Sequence, residues 1–180
     1  MNVHIVKDIP KIKTIIHMKI QFKEVQKFSQ WWLWLILTLV GIMPVYGIYK
    51  QLLLGEPFGS KPMSDSGIIV FAIVVFLVLG LFLIVRLKTT IDAVGIHMRY
   101  FPFFKKNVQW HEVKKVEVVN YGFVGGWGIR LWTSYGTVYN MRGNKGLAIE
   151  LINGDKFLIG TQKEAELAEI IQKINVDKFS

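Results

Sequence analysis

The chain of 180 residues contains no cysteine, which excludes disulfides, thiolate nucleophiles and Cys-ligated zinc or iron–sulfur centres. Its histidines, His4, His17, His97 and His111, are scattered, and no His-x-x-x-His or His-Glu-x-x-His spacing exists to hold zinc. His111 and Glu112 adjoin, but neighbouring residues of a strand point to opposite faces and make a poor acid–base pair. No serine lies in a nucleophile elbow. The glycine-rich stretch Gly122, Gly125, Gly126 and Gly128 lacks the Gly-Lys-Ser/Thr that completes a phosphate loop, so it reads as a bulge or tight corner between strands. Charge itself is missing from two long stretches, Phe28 to Tyr49 and Gly67 to Val85, and two such segments by themselves offer no proton or ion path.

What is present in those stretches is apolar mass. Sixteen of the nineteen residues from Gly67 to Val85 are Ile, Leu, Val or Phe. As a helix the run spans roughly 28 Å, close to the ~30 Å hydrocarbon core of a bilayer. Its side chains favour insertion by about 5–10 kcal/mol in total. The earlier run is interrupted by Ser29, Gln30, Thr38 and Pro44, yet Trp31, Trp32 and Trp34 mark one end and Tyr46 and Tyr49 the other. Amphipathic rings prefer these two headgroup levels. Pro44 removes a backbone donor and is expected to bend this helix near its outer end. A transmembrane hairpin is therefore expected over 28–85, with helices at about 28–49 and 67–85 and an exposed loop over 50–65 that contains Gly55, Pro57, Gly59 and Pro62.

The net charge is +9, and its distribution predicts orientation. Residues 1–27 carry six basic and two acidic side chains, 50–65 two of each, and 86–180 fourteen basic and nine acidic. The bias places both termini in the cytoplasm and the excess charge opposite the anionic inner leaflet of the cell membrane, which suits lipid attraction better than nucleic acid. Neither apolar run has the pattern of a removable signal peptide. Within the basic segment 1–27 two periodicities compete. Alternation over Ile15 to Lys23 favours a strand docked on the cytoplasmic domain, whereas Ile9, Ile12, Ile16 and Ile20 also fit a helix lying on the membrane surface.

From Arg86 onward the pattern is one of short strands. Thr89–Asp92 and Ile96–Tyr100 flank a turn at Ala93, Val94 and Gly95; Val113–Tyr121 gives a further strand; Ile129–Thr133 and Thr137–Met141 bracket Ser134-Tyr135-Gly136. Leu147, Ile149 and Leu151 alternate with Ala148, Glu150 and Ile152, and Asn153-Gly154 predicts a type I′ turn before Phe157–Gly160. Thr161 and Glu164 form a capping-box pattern ahead of the stripe Leu167, Ile170, Ile171 and Ile174. The expected architecture is an α+β membrane protein: a two-helix transmembrane hairpin, then over 86–180 a small antiparallel β-barrel or sandwich of the pleckstrin-homology (PH) kind, closed by a C-terminal helix.

Thr89-Thr90-Ile91-Asp92 with Gly95-Ile96, Trp110-His111-Glu112-Val113, Gly126-Trp127-Gly128-Ile129-Arg130, Lys145-Gly146-Leu147-Ala148-Ile149 and Phe157-Leu158-Ile159-Gly160-Thr161-Gln162 follow one another behind the membrane hairpin. In this order the chain resembles uncharacterised bacterial integral-membrane proteins bearing a bacterial PH-like domain. The likeness covers most of Phe22 to Ile174. It implies a fold and a place in the cell membrane and brings no activity or cofactor with it. Phosphoinositide-binding PH domains cradle inositol phosphates with basic residues around the first hairpin loop, whereas here that loop is Asp92-Ala93-Val94-Gly95 with only His97 and Arg99 near it.

The candidate lipid- or partner-contacting residues are Lys105, Lys106, Lys114 and Lys115, as loop charges facing anionic headgroups, together with Trp127 and Arg130. Arg130 is also a candidate to pair with Glu150. These features lead to an expectation of a non-catalytic binding or scaffold module at the inner leaflet, engaging a protein partner or anionic lipid, without cofactor or metal. The alternative is a small accessory subunit of a transport or envelope complex, oligomerising through Gly41, Gly47 and Gly80.

Overall fold

The computed structural model describes residues 22–179, with side chains through residue 175. The expected strand at 15–23 therefore lies outside the described residues except at its last two positions, as do Lys7, Lys11, Lys13 and Lys19. The chain divides into two units, one of residues 28–85 and one uniting 22–27 with the segment from 86 onward.

The apolar unit consists of α1 (Trp31–Ile48) and α2 (Asp65–Ile84), both long and apolar enough to cross a membrane. With apolar side chains on every side, only the seam between the helices selects how they pack. That seam uses small residues: Gly41, Pro44 and Gly47 of α1 are buried, as are Ile68 and Ala72 of α2. A Cβ on Gly47 would come within 2.8 Å of Ile68 Cδ1 and 3.0 Å of the Phe58 ring, so closeness here depends on glycine. Gly80, in contrast, faces open space. Ser64 caps α2 by accepting the Gly67 N–H at 3.2 Å, which satisfies one of the amides that a helix start leaves unpaired. Beyond Pro44, α1 runs into a π turn over Tyr49–Leu53. Gln51 Nε2 donates to the Met63 carbonyl and Asp65 Oδ1, each at 2.8 Å, and so ties this turn to the start of α2. Leu39, Ile42, Leu77 and Leu83 remain 54–68% exposed.

Among the described residues the second unit has nine strands and one α-helix. The first sheet comprises β1 (Phe22–Gln26), β2 (Arg86–Ile91), β3 (Gly95–Phe101) and β4 (Phe104–Gln109), antiparallel and in that order. A 3-10 turn over Trp110–Glu112 carries the chain to the second sheet: β5 (Val113–Asn120), β6 (Gly128–Thr133), β7 (Gly136–Asn140), β8 (Lys145–Leu151) and β9 (Lys156–Thr161), arranged β5-β8-β9-β7-β6. All pairings are antiparallel except β7 with β9, because β9 returns between β8 and β7. Of the two expected forms, barrel or sandwich, a closed barrel does not form. β4 and β5, adjacent in sequence, each end a different sheet, and side chains of the two sheets meet at Tyr100 with Met141, Phe104 with Tyr139 and Lys106 with Phe157. α3 (Glu164–Phe179) buries Leu167, Ile171 and Ile174 and packs on β5 and β1.

Several expectations change in detail. The strand β4 falls where loop charges were expected. The turn at Asn153-Gly154 has positive φ at Gly154 only (92°). Asp155 N–H is accepted by Asn153 Oδ1 at 3.0 Å, and Leu151 N–H by the Asp155 carbonyl at 2.9 Å, giving a three-residue loop with a left-handed glycine in place of type I′. The Thr161–Glu164 capping box is not made. Thr161 Oγ1 accepts the Lys163 N–H at 3.0 Å and donates to Glu24 at 2.7 Å, while Glu164 pairs with Lys145 at 2.9 Å.

β1 is bound to the rest of this unit by polar groups turned inward. From Glu24 on its alternation is inverted: Glu24 and Gln26 are 6% and 3% exposed, and Val25 is 50% exposed. The Glu24 carboxylate accepts the Thr161 hydroxyl and the Gln162 N–H at 2.7 and 2.8 Å, and Gln26 Nε2 donates to the Gly160 carbonyl at 2.6 Å. The strand preceding the apolar helices is thereby secured to the strand–helix junction at the far end of the chain.

Candidate functional site

The period-two geometry of a strand decides which residues of the first sheet share a face. Register places Val25, Lys88, Arg99 and Lys105 in a single cross-strand row, with Lys23, Thr90, His97 and Asn107 in the next row of the same face and Arg86 opposite Phe101 at its end. The opposite face carries the buried Leu87, Ile91, Ile96, Met98 and Tyr100. The outer face thus presents Lys23, Arg86, Lys88, Arg99 and Lys105, all exposed.

Like charges directly opposite one another in a sheet destabilise it, and here Arg99 lies between Lys88 on one side and Lys105 on the other. No ion pair among the described residues involves any of the five, whereas Lys50, Lys114, Lys115, Lys145, Lys156, Lys163 and Lys173 are each paired with a carboxylate. The acids lie elsewhere: Glu24 is buried, and Asp92 is occupied at the opposite end of β2. Its Oδ1 accepts the Val94 and Gly95 N–H groups at 2.8 and 3.0 Å, and its Oδ2 lies 3.1 Å from His97 Nε2. Burial pushes the Asp92 carboxyl upward, but the two amides and His97 outweigh it and hold the group below its ordinary value.

The face ends in an aromatic tip. Phe101, Phe103 and Phe104, 39%, 54% and 37% exposed, form the β3–β4 turn with Pro102, which follows a cis peptide bond. The tip is braced from beneath: the Phe104 ring stacks on Tyr100 at 5.8 Å and meets Tyr139 at 5.4 Å, and the Phe103 ring lies 6.0 Å from Tyr100. The Arg99 guanidinium lies 5.2 Å from the Phe101 ring. Burial beneath the tip raises the Tyr100 phenol to about 12, with Arg130 opposing the rise.

The sequence-predicted residues are dispersed. Lys105 belongs to the basic row. Lys106, on the other face of β4, rests 3.8 Å above the Phe157 ring, and burial lowers its pKa with Asp155 opposing. It is neither a loop charge nor free in solvent. Lys114 bonds Glu150 at 2.6 Å and Lys115 bonds Glu117 at 2.9 Å. Hydrogen bonds from Lys114 and Lys156 lower the Glu150 pKa. The proposed Arg130–Glu150 pair does not form: β9 and β7 separate the two strands, about 14 Å at the usual strand spacing.

Arg130 instead donates to the Trp127 carbonyl at 3.0 Å, and its side chain occupies the space a Cβ on Gly126 would fill. The glycine-rich loop is organised inward by Asn140, 1% exposed, which accepts the Gly128 N–H at 3.0 Å and donates to Tyr121 Oη at 3.0 Å. A crevice of ≈ 320 Å³ lined by Tyr121, Phe123, Val124, Trp127 and Asn140 remains beside the loop. Trp132, near the end of β6, is 94% exposed at φ 56°. Among the described residues, no group of three His, Cys, Asp or Glu side chains is placed to hold a metal ion.

Arg86 and Lys88 were not among the candidates read from the sequence, Arg99 was noted only beside the first hairpin loop, and Lys23 only within the basic segment 1–27. The available signal was the spacing Arg86-x-Lys88 and His97-x-Arg99 on neighbouring strands, legible only once register is known. No family model, no curated protein and no solved structure matches the chain.

Proposed function

We propose that the chain is an integral membrane protein whose hairpin, 28–85, anchors a PH-like binding or scaffold module at the inner leaflet of the cell membrane, with both termini cytoplasmic. The module works by binding, to a protein partner or to anionic lipid, and without catalysis. One observation carries this reading: β1 and β2, the strands from which the hairpin leaves and to which it returns, pair with Gln26 opposite Leu87. A hairpin crossing a bilayer twice brings its ends back to one side, as that pairing requires. The exposed apolar faces of α1 and α2 support the same reading, since lipid tails cover such surfaces and water does not. The positive-inside bias selects the cytoplasmic side.

The test is fractionation and topology mapping. The full chain should pellet with membranes, resist alkaline extraction, and report a cytoplasmic location for a fusion placed after Ser180. Remaining in the supernatant without detergent, or reporting from outside the cell, overturns the proposal. The second reading, an accessory subunit of a membrane complex, draws on a wholly apolar open groove of ≈ 620 Å³ lined by Leu37, Gly41, Val45, Phe76 and Leu79, the shape a further helix would fill. In-cell crosslinking that joins residues of this groove to another membrane protein would favour it.

A further inference from the structure

We infer that the outer face of the first sheet and the β3–β4 tip form a seat on the anionic bilayer that holds the hairpin: Arg86, Lys88, Arg99 and Lys105 engage lipid phosphates while Phe101 and Phe103 enter the interfacial layer. The inference rests on the anchored reading above and names the ligand of that module. Three observations carry it. Among the described residues the basic row is uncompensated, and like charge across Lys88, Arg99 and Lys105 costs the sheet stability that an external anion restores. The row lies at the end of the sheet where the chain runs into apolar sequence: α2 ends at Ile84, β2 begins at Arg86, and Arg86 pairs with Phe101 of the tip. The tip itself offers exposed phenyl rings, one beneath a guanidinium, the amphipathic combination that headgroup regions accept.

The same topology explains why the Asp92–Gly95 turn carries no basic residue. It lies at the other end of β2, six residues from Arg86, or roughly 20 Å of extended strand, beyond the ~8 Å reach of surface charge at physiological ionic strength. A soluble protein or nucleic acid could also answer these four cations, but neither accounts for the place of Arg86, Lys88, Arg99 and Lys105 toward the end of the sheet joined to the apolar helices.

The absence of cysteine permits single-site labelling of the full-length chain. A polarity-sensitive fluorophore is placed at Phe103→Cys, with separate labels at Leu77→Cys in α2 and Val94→Cys in the distal turn, and each protein is reconstituted in nanodiscs containing lipids brominated on the acyl chain. With phosphatidylglycerol present, labels at 103 and 77 should be quenched and the label at 94 should not. With phosphatidylcholine alone, quenching at 103 should fall while quenching at 77 persists. Lys88→Glu with Lys105→Glu makes an alternating row with Arg99, which favours folding while removing the attraction. Since each basic residue near an anionic surface contributes roughly fivefold, the pair should shift the seated population at least ~25-fold.

Quenching at 77 with none at 103 in phosphatidylglycerol overturns the seat and leaves the anchor intact. Quenching at 94 in place of 103 also overturns it, as does a label at 103 that lipid never quenches but a bound protein shields. Loss of quenching at 77 removes the anchored reading and the seat together.

Discussion

Replacing Glu24 by alanine is expected to loosen the whole β unit from a position far from either sheet's centre. The carboxylate is 6% exposed and accepts the Thr161 hydroxyl at 2.7 Å and the Gln162 N–H at 2.8 Å. Hydrogen bonds to a charged group contribute about 1.5–3 kcal/mol each, and their loss leaves buried donors unsatisfied, so Glu24→Ala should cost at least ~3 kcal/mol. For a unit of about 100 residues this lowers Tm by on the order of 12–20 °C. Glu24→Gln retains the volume and one acceptor and should cost only ~1 kcal/mol. Lys23→Ala, exposed on the same strand, should stay within ~0.5 kcal/mol of the parent. The measurement is a thermal melt of the full chain in mild detergent followed by near-ultraviolet circular dichroism, with hydrogen exchange resolved over residues 22–26. An alanine variant that melts with the parent and keeps β1 protected would refute the claim that this buried carboxylate binds β1 to the strand–helix junction.

Three further outcomes are expected. Gly47→Val should push α1 from α2 at Ile68 and Phe58 and cost ~1–3 kcal/mol, whereas Gly80→Val, facing open space, should be silent; detergent-resistant helix pairing checks both. Trp132→Gly should be neutral or stabilise by up to ~1 kcal/mol, since left-handed backbone strains a bulky residue whose ring is 94% exposed; equilibrium unfolding with a loss above that size would show that the ring has a structural role. Asp92, held below its ordinary pKa, contributes stability that is complete above the unfolded value of about 3.9 and is lost as pH falls through the folded one. Asp92→Asn should therefore flatten the acid limb of the stability–pH curve below about pH 4 and leave the neutral region's slope unchanged.

The apolar helices were legible because a water-exposed fold rarely keeps a run of bilayer length free of charge, and β2, β3, β7 and β8 because their alternation is plain. β4 was missed because Lys106 turns inward over Phe157. A lysine stem can cover an aromatic ring, but the letter alone suggests solvent. β1 was harder still: Glu24 and Gln26 face the interior and Val25 faces out, and their partners at Gly160, Thr161 and Gln162 are remote in the chain. The Thr161–Glu164 box failed because Thr161 Oγ1 takes the Lys163 N–H and Glu164 is drawn to Lys145, a partner remote in the chain. The basic face could not be read without register, because its row draws Lys88, Arg99 and Lys105 from three different strands, and Arg99 and Lys105 have no lysine or arginine two positions away on their own strands.

The placement of the hairpin between β1 and β2 also sets an order of events during synthesis. β1 is made before either apolar helix, yet its neighbour β2 follows both, and the groups that receive Glu24 and Gln26 come later still, at residues 160–162. At ~5–20 residues per second β1 waits some 3–12 s for β2 alone, during which the two helices emerge and, in the anchored reading, partition into lipid. The β unit therefore completes itself only after both apolar helices have been made, and a chain stalled before residue 160 should leave residues 22–26 open to protease.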